Sequence, residues 1–243
     1  MNDTGNLRFI RRPARSESIS GNGASGKGRV WYVVNVEVCE TFTGIQGESS
    51  YAGLTCYFIR LAGCNLQCRW CDTPQALLPG RITQVKDLVK SAIDSNTSIC
   101  EITGGEPLLQ SGFRNLSEML CEDTKKPVLV ETNGTRDISA IPEKAVTIMD
   151  VKCPGSGEGG SLLESNIGKL RPQDEIKFVL TGRADYEWAR DFVDRRDLHN
   201  SCREVLFAPA DGMLEPRELA EWITADGTGA RLQVQLHRII GVE

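Results

Sequence analysis

Apolar and polar positions divide the chain into two unequal parts. Over residues 1–28, rich in Gly, Ser, Asn and Arg, there is neither a two-residue nor a 3.6-residue apolar period, which predicts a disordered tail ahead of a single domain over 29–243. From Val30 the pattern changes. VWYVVNVEVCETF reads as a strand, and CYFIRLAG (Cys56 to Gly63) is a nearly unbroken apolar run of the kind seen in strands covered on both faces. Beyond a cysteine-rich loop, Ile82, Val85, Leu88, Val89, Ala92 and Ile93 recur at helical spacing, followed by the strand SICEIT, a helix over about 107–120 and the strand PVLVETN. VTIMDVK, EIKFVL, REVLFAP and RLQVQL continue the strands, with helical patterns over 162–170, 184–198 and 216–225.

Strands alternating with helices imply an α/β fold whose parallel sheet is wound by right-handed crossovers. Six or so units are fewer than the eight of a closed barrel. The expected architecture is therefore a partial (βα) barrel, with an open doubly wound sheet as the alternative. Both gather the loops that follow the strands around one ligand site.

Composition narrows the function classes. The chain is 40% hydrophobic and 25% charged, and no apolar run approaches the roughly 20 residues of a membrane span. Residues 1–30 hold six basic and two acidic side chains, leaving 22 basic against 31 acidic in the rest. So acidic a body is a poor match for a phosphate backbone, so no nucleic-acid partner is expected. Nine cysteines, an odd count, with no apolar leader in MNDTGNLRFIRRP, point to a reducing, cytoplasmic compartment. With His199 and His237 the only histidines, metal chemistry must run on thiolates.

Directly after the first core strand stands AGCNLQCRWCDTP, with Cys64, Cys68 and Cys71 spaced CxxxCxxC. Three thiolates in one loop can ligate three irons of a [4Fe-4S] cubane and leave the fourth open to a small molecule. A zinc site would need a fourth ligand, for which only the distant Cys153 is in reach of the same strand ends. The other mark of a ligand site is EITGGEPLLQ, where paired glycines allow close backbone approach and Pro107 suits a first helical turn.

CxxxCxxC with Trp70 before its last cysteine resembles the radical S-adenosylmethionine superfamily. The resemblance implies a partial barrel, a [4Fe-4S] cluster and S-adenosylmethionine held by the open iron. It also implies that Gly104, Gly105 and Glu106 receive the methionine amino group and that Trp70 flanks the adenine. Within that superfamily, ETFTGIQGESSYAG, CYFIRLAGCNLQCRWCDT and DVKCPGSGE resemble the 7-carboxy-7-deazaguanine synthase family from about residue 34 onwards. That likeness implies ring contraction of 6-carboxy-5,6,7,8-tetrahydropterin with loss of ammonia, assisted by Mg²⁺, in queuosine-type 7-deazapurine biosynthesis. It further implies a homodimer reduced by a flavodoxin or ferredoxin.

Residue by residue, the likeness assigns Gln46, Glu48, Arg60, Thr103 and His237 to the substrate, Thr73 to Mg²⁺, and Lys152 and Ser156 to the cofactor pocket. Glu131, Thr132 and Asn133 end a strand at the same face. Bottom-up, an amide and a carboxylate suit the edge of an aminopyrimidinone. Arg60, charged on an otherwise apolar strand, needs either a substrate carboxylate or an internal ion pair. His237 lies just past the last predicted strand, which brings the carboxylate of Glu243 within reach of the site as a further substrate contact. A glycyl-radical activating enzyme and a non-catalytic zinc or iron-sulfur module are the alternatives; QGES and DVKCPGSGE argue against the first, an intact GGEP against the second.

Overall fold

The structure, a computed structural model, describes residues 33–242; the tail 1–28 and Glu243 lie outside the described residues. Among the described residues nine strands form one sheet. They are β1 (Asn35–Ile45), β2 (Thr55–Leu61), β3 (Arg81–Gln84), β4 (Ile99–Gly104), β5 (Val128–Thr132), β6 (Val146–Lys152), β7 (Glu175–Leu180), β8 (Glu204–Pro209) and β9 (Arg231–Leu232). Their order is β3-β1-β2-β4-β5-β6-β7-β8-β9. β1 pairs antiparallel with β2 and β3, and every pairing from β2 to β9 is parallel.

From β2 onwards each new parallel strand is laid beside the preceding one, so the sheet winds in one direction without the reversal of a doubly wound fold. With one crossover hand, that order keeps the helices on one face. The packing agrees. Helices α1 (Val85–Asp94), α2 (Phe113–Asp123), α3 (Arg183–Arg195), α4 (Leu198–Ser201) and α5 (Pro216–Asp226) bury Leu88, Leu116, Tyr186, Leu198 and Leu219 in one cluster with Ile59, Ile102, Val130, Phe178 and Phe207. The opposite face carries no helix in its apolar cluster, which consists of Cys56, Phe58, Ile99, Leu129, Val146 and Ile148. Among the described residues no helix is long and apolar enough to cross a membrane.

Several elements depart from the periodicity. Ile82 belongs to the edge strand β3, opposite Glu37 and 62% exposed, so α1 starts only at Val85. The helix expected over 107–120 is broken into a 3-10 turn (Pro107–Leu109) and α2, because Gln110 bonds the Glu37 N–H and the Ala62 carbonyl and ties the chain to the sheet. The pattern over 162–170 yields a 3-10 helix at Glu164–Lys169, and 184–198 splits into α3 and α4 at Asp197, whose φ of 51° is left-handed. RLQVQL is a strand only over Arg231–Leu232; helix α6 (Leu236–Ile240) follows, so His237 is helical.

Candidate active site

Two residues beyond the apolar cluster, the same strand face turns polar. Arg60 follows Phe58, Glu101 follows Ile99, Glu131 follows Leu129 and Asp150 follows Ile148, and Lys177 on β7 pairs in register with Asp150. Strand alternation points all of them one way. This polar patch, the cysteine loop and α6 line a cleft of about 780 Å³ at the C-terminal ends of the parallel strands, within the usual size range of ligand sites.

The cysteine loop is anchored by its neighbours. The Gly63 N–H donates to Ala76 O (2.7 Å), and the Glu106 N–H donates to Gly63 O (2.8 Å). From DVKCPGSGE, Ser156 O accepts the Arg69 N–H (3.0 Å) and the Glu158 carboxylate accepts the Gln67 N–H (2.7 Å). Gly104 and Gly105 line the cleft, yet the close approach that demands glycine is to the chain itself: a Cβ on Gly104, whose φ is +148°, would lie 2.8 Å from Leu61 N, and one on Gly105 2.7 Å from Cys64 Cβ.

The donor set suits a cubane. Among the described residues no three His, Cys, Asp or Glu side chains are grouped as one metal ion needs, whereas a cubane offers each thiolate a different iron. Burial pushes the Cys64 and Cys68 thiols up, so their thiolates call for a cation. The Leu66 N–H (3.5 Å) and Asn133 Nδ2 (3.9 Å) face Cys64 Sγ. Trp70 lines the cleft with its buried indole N–H unpartnered, a donor left for a bound group, and the Lys152 ammonium lies 5.2 Å from its ring centre. Cys153 is 0% exposed inside the helix-side core, with its thiol pushed well up by burial, which removes the fourth ligand of a zinc site.

On the far side of the cleft, Lys177 Nζ bonds Glu48 Oε2 (2.8 Å) and Glu131, and lies 3.5 Å from Asp150 Oδ2. Glu48 also accepts from Gln235 (2.8 Å) and Gln233 (3.1 Å). Gln46 donates to Glu101 and accepts the Glu48 N–H (2.9 Å), while the Thr103 hydroxyl donates to Glu131 (3.0 Å). Burial raises the Glu48 carboxyl, but the Lys177 cation and its hydrogen bonds outweigh burial and hold it below its ordinary value. Burial would also lower Lys177, and its three carboxylates reverse this and hold it well above. Glu101 has no such cation in contact among the described residues, so burial and the nearby Glu131 and Glu48 push it well above its ordinary value.

Arg60 lines the cleft with its Nε on Glu40 (2.8 Å), the internal ion pair weighed against a substrate role. Thr73 caps a 3-10 turn (Pro74–Leu77), its hydroxyl on Asp72 (3.0 Å). His237 packs on the backbone of Gly47, where a Cβ would lie 2.7 Å from its Cγ. Glu106 and Ser156 do not line the cleft. Glu106 is spent on the Leu108 N–H, the Thr132 hydroxyl and the Asn133 N–H, and Ser156 on Cys153 O and the Glu158 N–H. Sequence reasoning missed Lys177, Glu101 and Asp150, although a charge inside each of the largely apolar runs EIKFVL, SICEIT and VTIMDVK is the kind of signal that singled out Arg60. Gln233 and Gln235 were hidden in a segment read as strand.

A one-directional parallel sheet that opens onto a CxxxCxxC loop defines a radical S-adenosylmethionine protein, and residues 58–153 match the family described as Radical SAM superfamily. The chain is 40% identical over 222 residues to a 7-carboxy-7-deazaguanine synthase of Koribacter versatilis (84% of this chain, 96% of that one), and 38% identical over 208 residues to one of Chlorobaculum tepidum (84% and 94%). It belongs to the 7-carboxy-7-deazaguanine synthase family. The fold is also that of a crystal structure of QueE from Escherichia coli, with a TM-score of 0.65 at 23% identity over 84% of this chain and 95% of that one. Membership of the superfamily implies a [4Fe-4S] cluster and S-adenosylmethionine as cofactors.

Proposed function

We propose that this 7-carboxy-7-deazaguanine synthase acts on 6-carboxy-5,6,7,8-tetrahydropterin, contracts its ring with loss of ammonia, and uses Mg²⁺ beside the cluster and S-adenosylmethionine. One observation carries the reading: the cysteine loop and a patch of donors and acceptors matched to a carboxylated aminopyrimidinone open into the same cleft. When bound, the cluster and S-adenosylmethionine supply reductive cleavage to a carbon radical that takes a hydrogen from the substrate.

The chain's own residues bind and orient. Arg60, with Nε held by Glu40, directs its guanidinium to the substrate carboxylate. Glu48 and Glu131 accept from ring N–H groups, and Gln46, Thr103 and His237 complete the polar edge. Cys64, Cys68 and Cys71 hold the cluster, and Trp70, Gly104, Gly105 and Lys152 border S-adenosylmethionine. Glu106 and Ser156 act behind that border by fixing the backbone at Asn133 and Arg69. The Thr73 hydroxyl meets Mg²⁺, a hard ion that keeps most of its waters and so needs few protein ligands. The reading includes a homodimer, a flavodoxin or ferredoxin as electron donor, and a cytoplasmic setting.

Anaerobic reconstitution with iron and sulfide, then incubation with S-adenosylmethionine, reductant, Mg²⁺ and the carboxylated pterin, tests it by mass analysis. The expected product is 7-carboxy-7-deazaguanine. An intact pterin alongside cleaved S-adenosylmethionine would overturn the substrate assignment.

A further inference from the structure

Lys177 stands apart from the other charges of the cleft. It is the third residue of the buried strand EIKFVL, with its side chain 6% exposed, and such a cation is costly unless it is paired. Its partners come from three separate places: Glu48 in the loop after β1, Glu131 on β5 and Asp150 on β6. One ammonium with its tetrahedral donors thus gathers side chains that the backbone delivers independently. The outer oxygens are tied as well, since Gln235 holds Glu48 Oε1 and the Thr103 hydroxyl holds Glu131 Oε2.

We propose that Lys177 is a positioning residue for the substrate, a buried ammonium that fixes the Glu48 and Glu131 carboxylates as a paired acceptor edge for the N–H donors of a bound pterin. The proposal rests on the pterin reading above. Unlike a freely rotating acid, a carboxylate clamped in this way pays no reorientation entropy when the ligand arrives. It is also acceptor-only while ionised, so it selects a heterocycle with an N–H edge over one with ring nitrogens as acceptors. Ionisation itself depends on Lys177, because the cation and its hydrogen bonds outweigh the burial that raises Glu48. The other titratable groups about this pair are Arg60 on β2, Glu101 on β4, Asp150 and Lys152 on β6, Asp72 in the cysteine loop, and His237 and Arg238 on α6. With Lys177 removed, burial and the Asp72 carboxylate favour protonation of Glu48.

The test compares the reconstituted wild type with Lys177→Met, which keeps length and removes charge, and Lys177→Arg, which keeps charge. Pterin affinity is measured from pH 6 to pH 9 in the presence of S-adenosylmethionine. For Lys177→Met at neutral pH, the expected loss is about 10- to 100-fold, the range of charge-assisted hydrogen bonds. Affinity should recover as pH rises and Glu48 ionises, while the wild-type profile stays flat and Lys177→Arg recovers part of the loss. In parallel, carboxylate infrared titration without pterin should move a buried carboxyl, absent in Lys177→Met/Glu48→Gln, to higher pH in Lys177→Met. Should the single variant fail to fold, Lys177→Met/Glu131→Gln, which removes one charge of each sign, carries the same titration. An unmoved Glu48 titration, or a pH profile parallel to the wild type with only lower thermal stability, would overturn the proposal and leave Lys177 a structural ion. A Glu48 titration that moves in Lys177→Met, together with a wild type that binds no pterin, would instead overturn the substrate reading.

Discussion

Gly105 and Cys64 approach so closely that a Cβ on the glycine would lie 2.7 Å from that of the cysteine. The strand-end glycines and the cluster loop are therefore one packed unit. Gly105→Ala should displace the Cys64 backbone, cost about 1–3 kcal/mol as overpacking does, and lower iron content after reconstitution. Full iron loading with normal stability would show that the loop yields freely.

The nine cysteines divide by environment. Cys64→Ala, Cys68→Ala or Cys71→Ala should each abolish iron content and turnover, since each removes one of the three proposed cluster ligands. Cys100→Ala and Cys121→Ala, on the helix side of the sheet, should retain the iron of the wild type. Metal analysis and the visible spectrum decide, and equal iron loss in both sets would refute the assignment.

Glu101 supplies a pH signature. Its carboxyl is raised well above the ordinary value, first by burial and then by Glu131 and Glu48, so the folded state binds its proton more tightly than the unfolded chain does. The resulting stability is complete below the ordinary carboxylate range and is lost as pH rises through the raised value. Glu101→Gln has no such proton to lose and can still bond Gln46. Its stability relative to the wild type should increase from pH 5 to pH 8, by about 1.4 kcal/mol for each tenfold displacement of the acid constant. Denaturant melts at both pH values check this; a constant difference would show that Glu101 ionises normally.

Arg60→Lys keeps the charge but loses the planar fork that bonds Glu40 and, in the proposed reading, the substrate carboxylate. Pterin affinity should fall by about 1–3 kcal/mol. Glu40→Gln separates the two roles: if only the ion pair matters, that variant reproduces the loss, whereas a substrate contact leaves it with the smaller effect.

Thr73→Ala should weaken the dependence of turnover on added Mg²⁺ while leaving S-adenosylmethionine cleavage without pterin largely intact. An unchanged Mg²⁺ response would reduce Thr73 to the cap of its 3-10 turn.

Local chemistry was legible before any folding was known. The cysteine spacing, the GGEP turn and the strands VTIMDVK and EIKFVL stand in the structure where the pattern puts them, because ligand spacing in a loop and two-residue alternation are properties of neighbouring residues. What periodicity could not reach depended on partners distant along the chain. Ile82 fits a helix by spacing and is a strand because Glu37 pairs with it. RLQVQL alternates like a strand, yet Gln233 and Gln235 leave it to bond Glu48. Likewise, a lysine in EIKFVL is only an anomaly until β5, β6 and the loop after β1 deliver three carboxylates to it. Charge pairing and burial act through space, so the Lys177 side of the cleft was set by sheet order and register rather than by any motif.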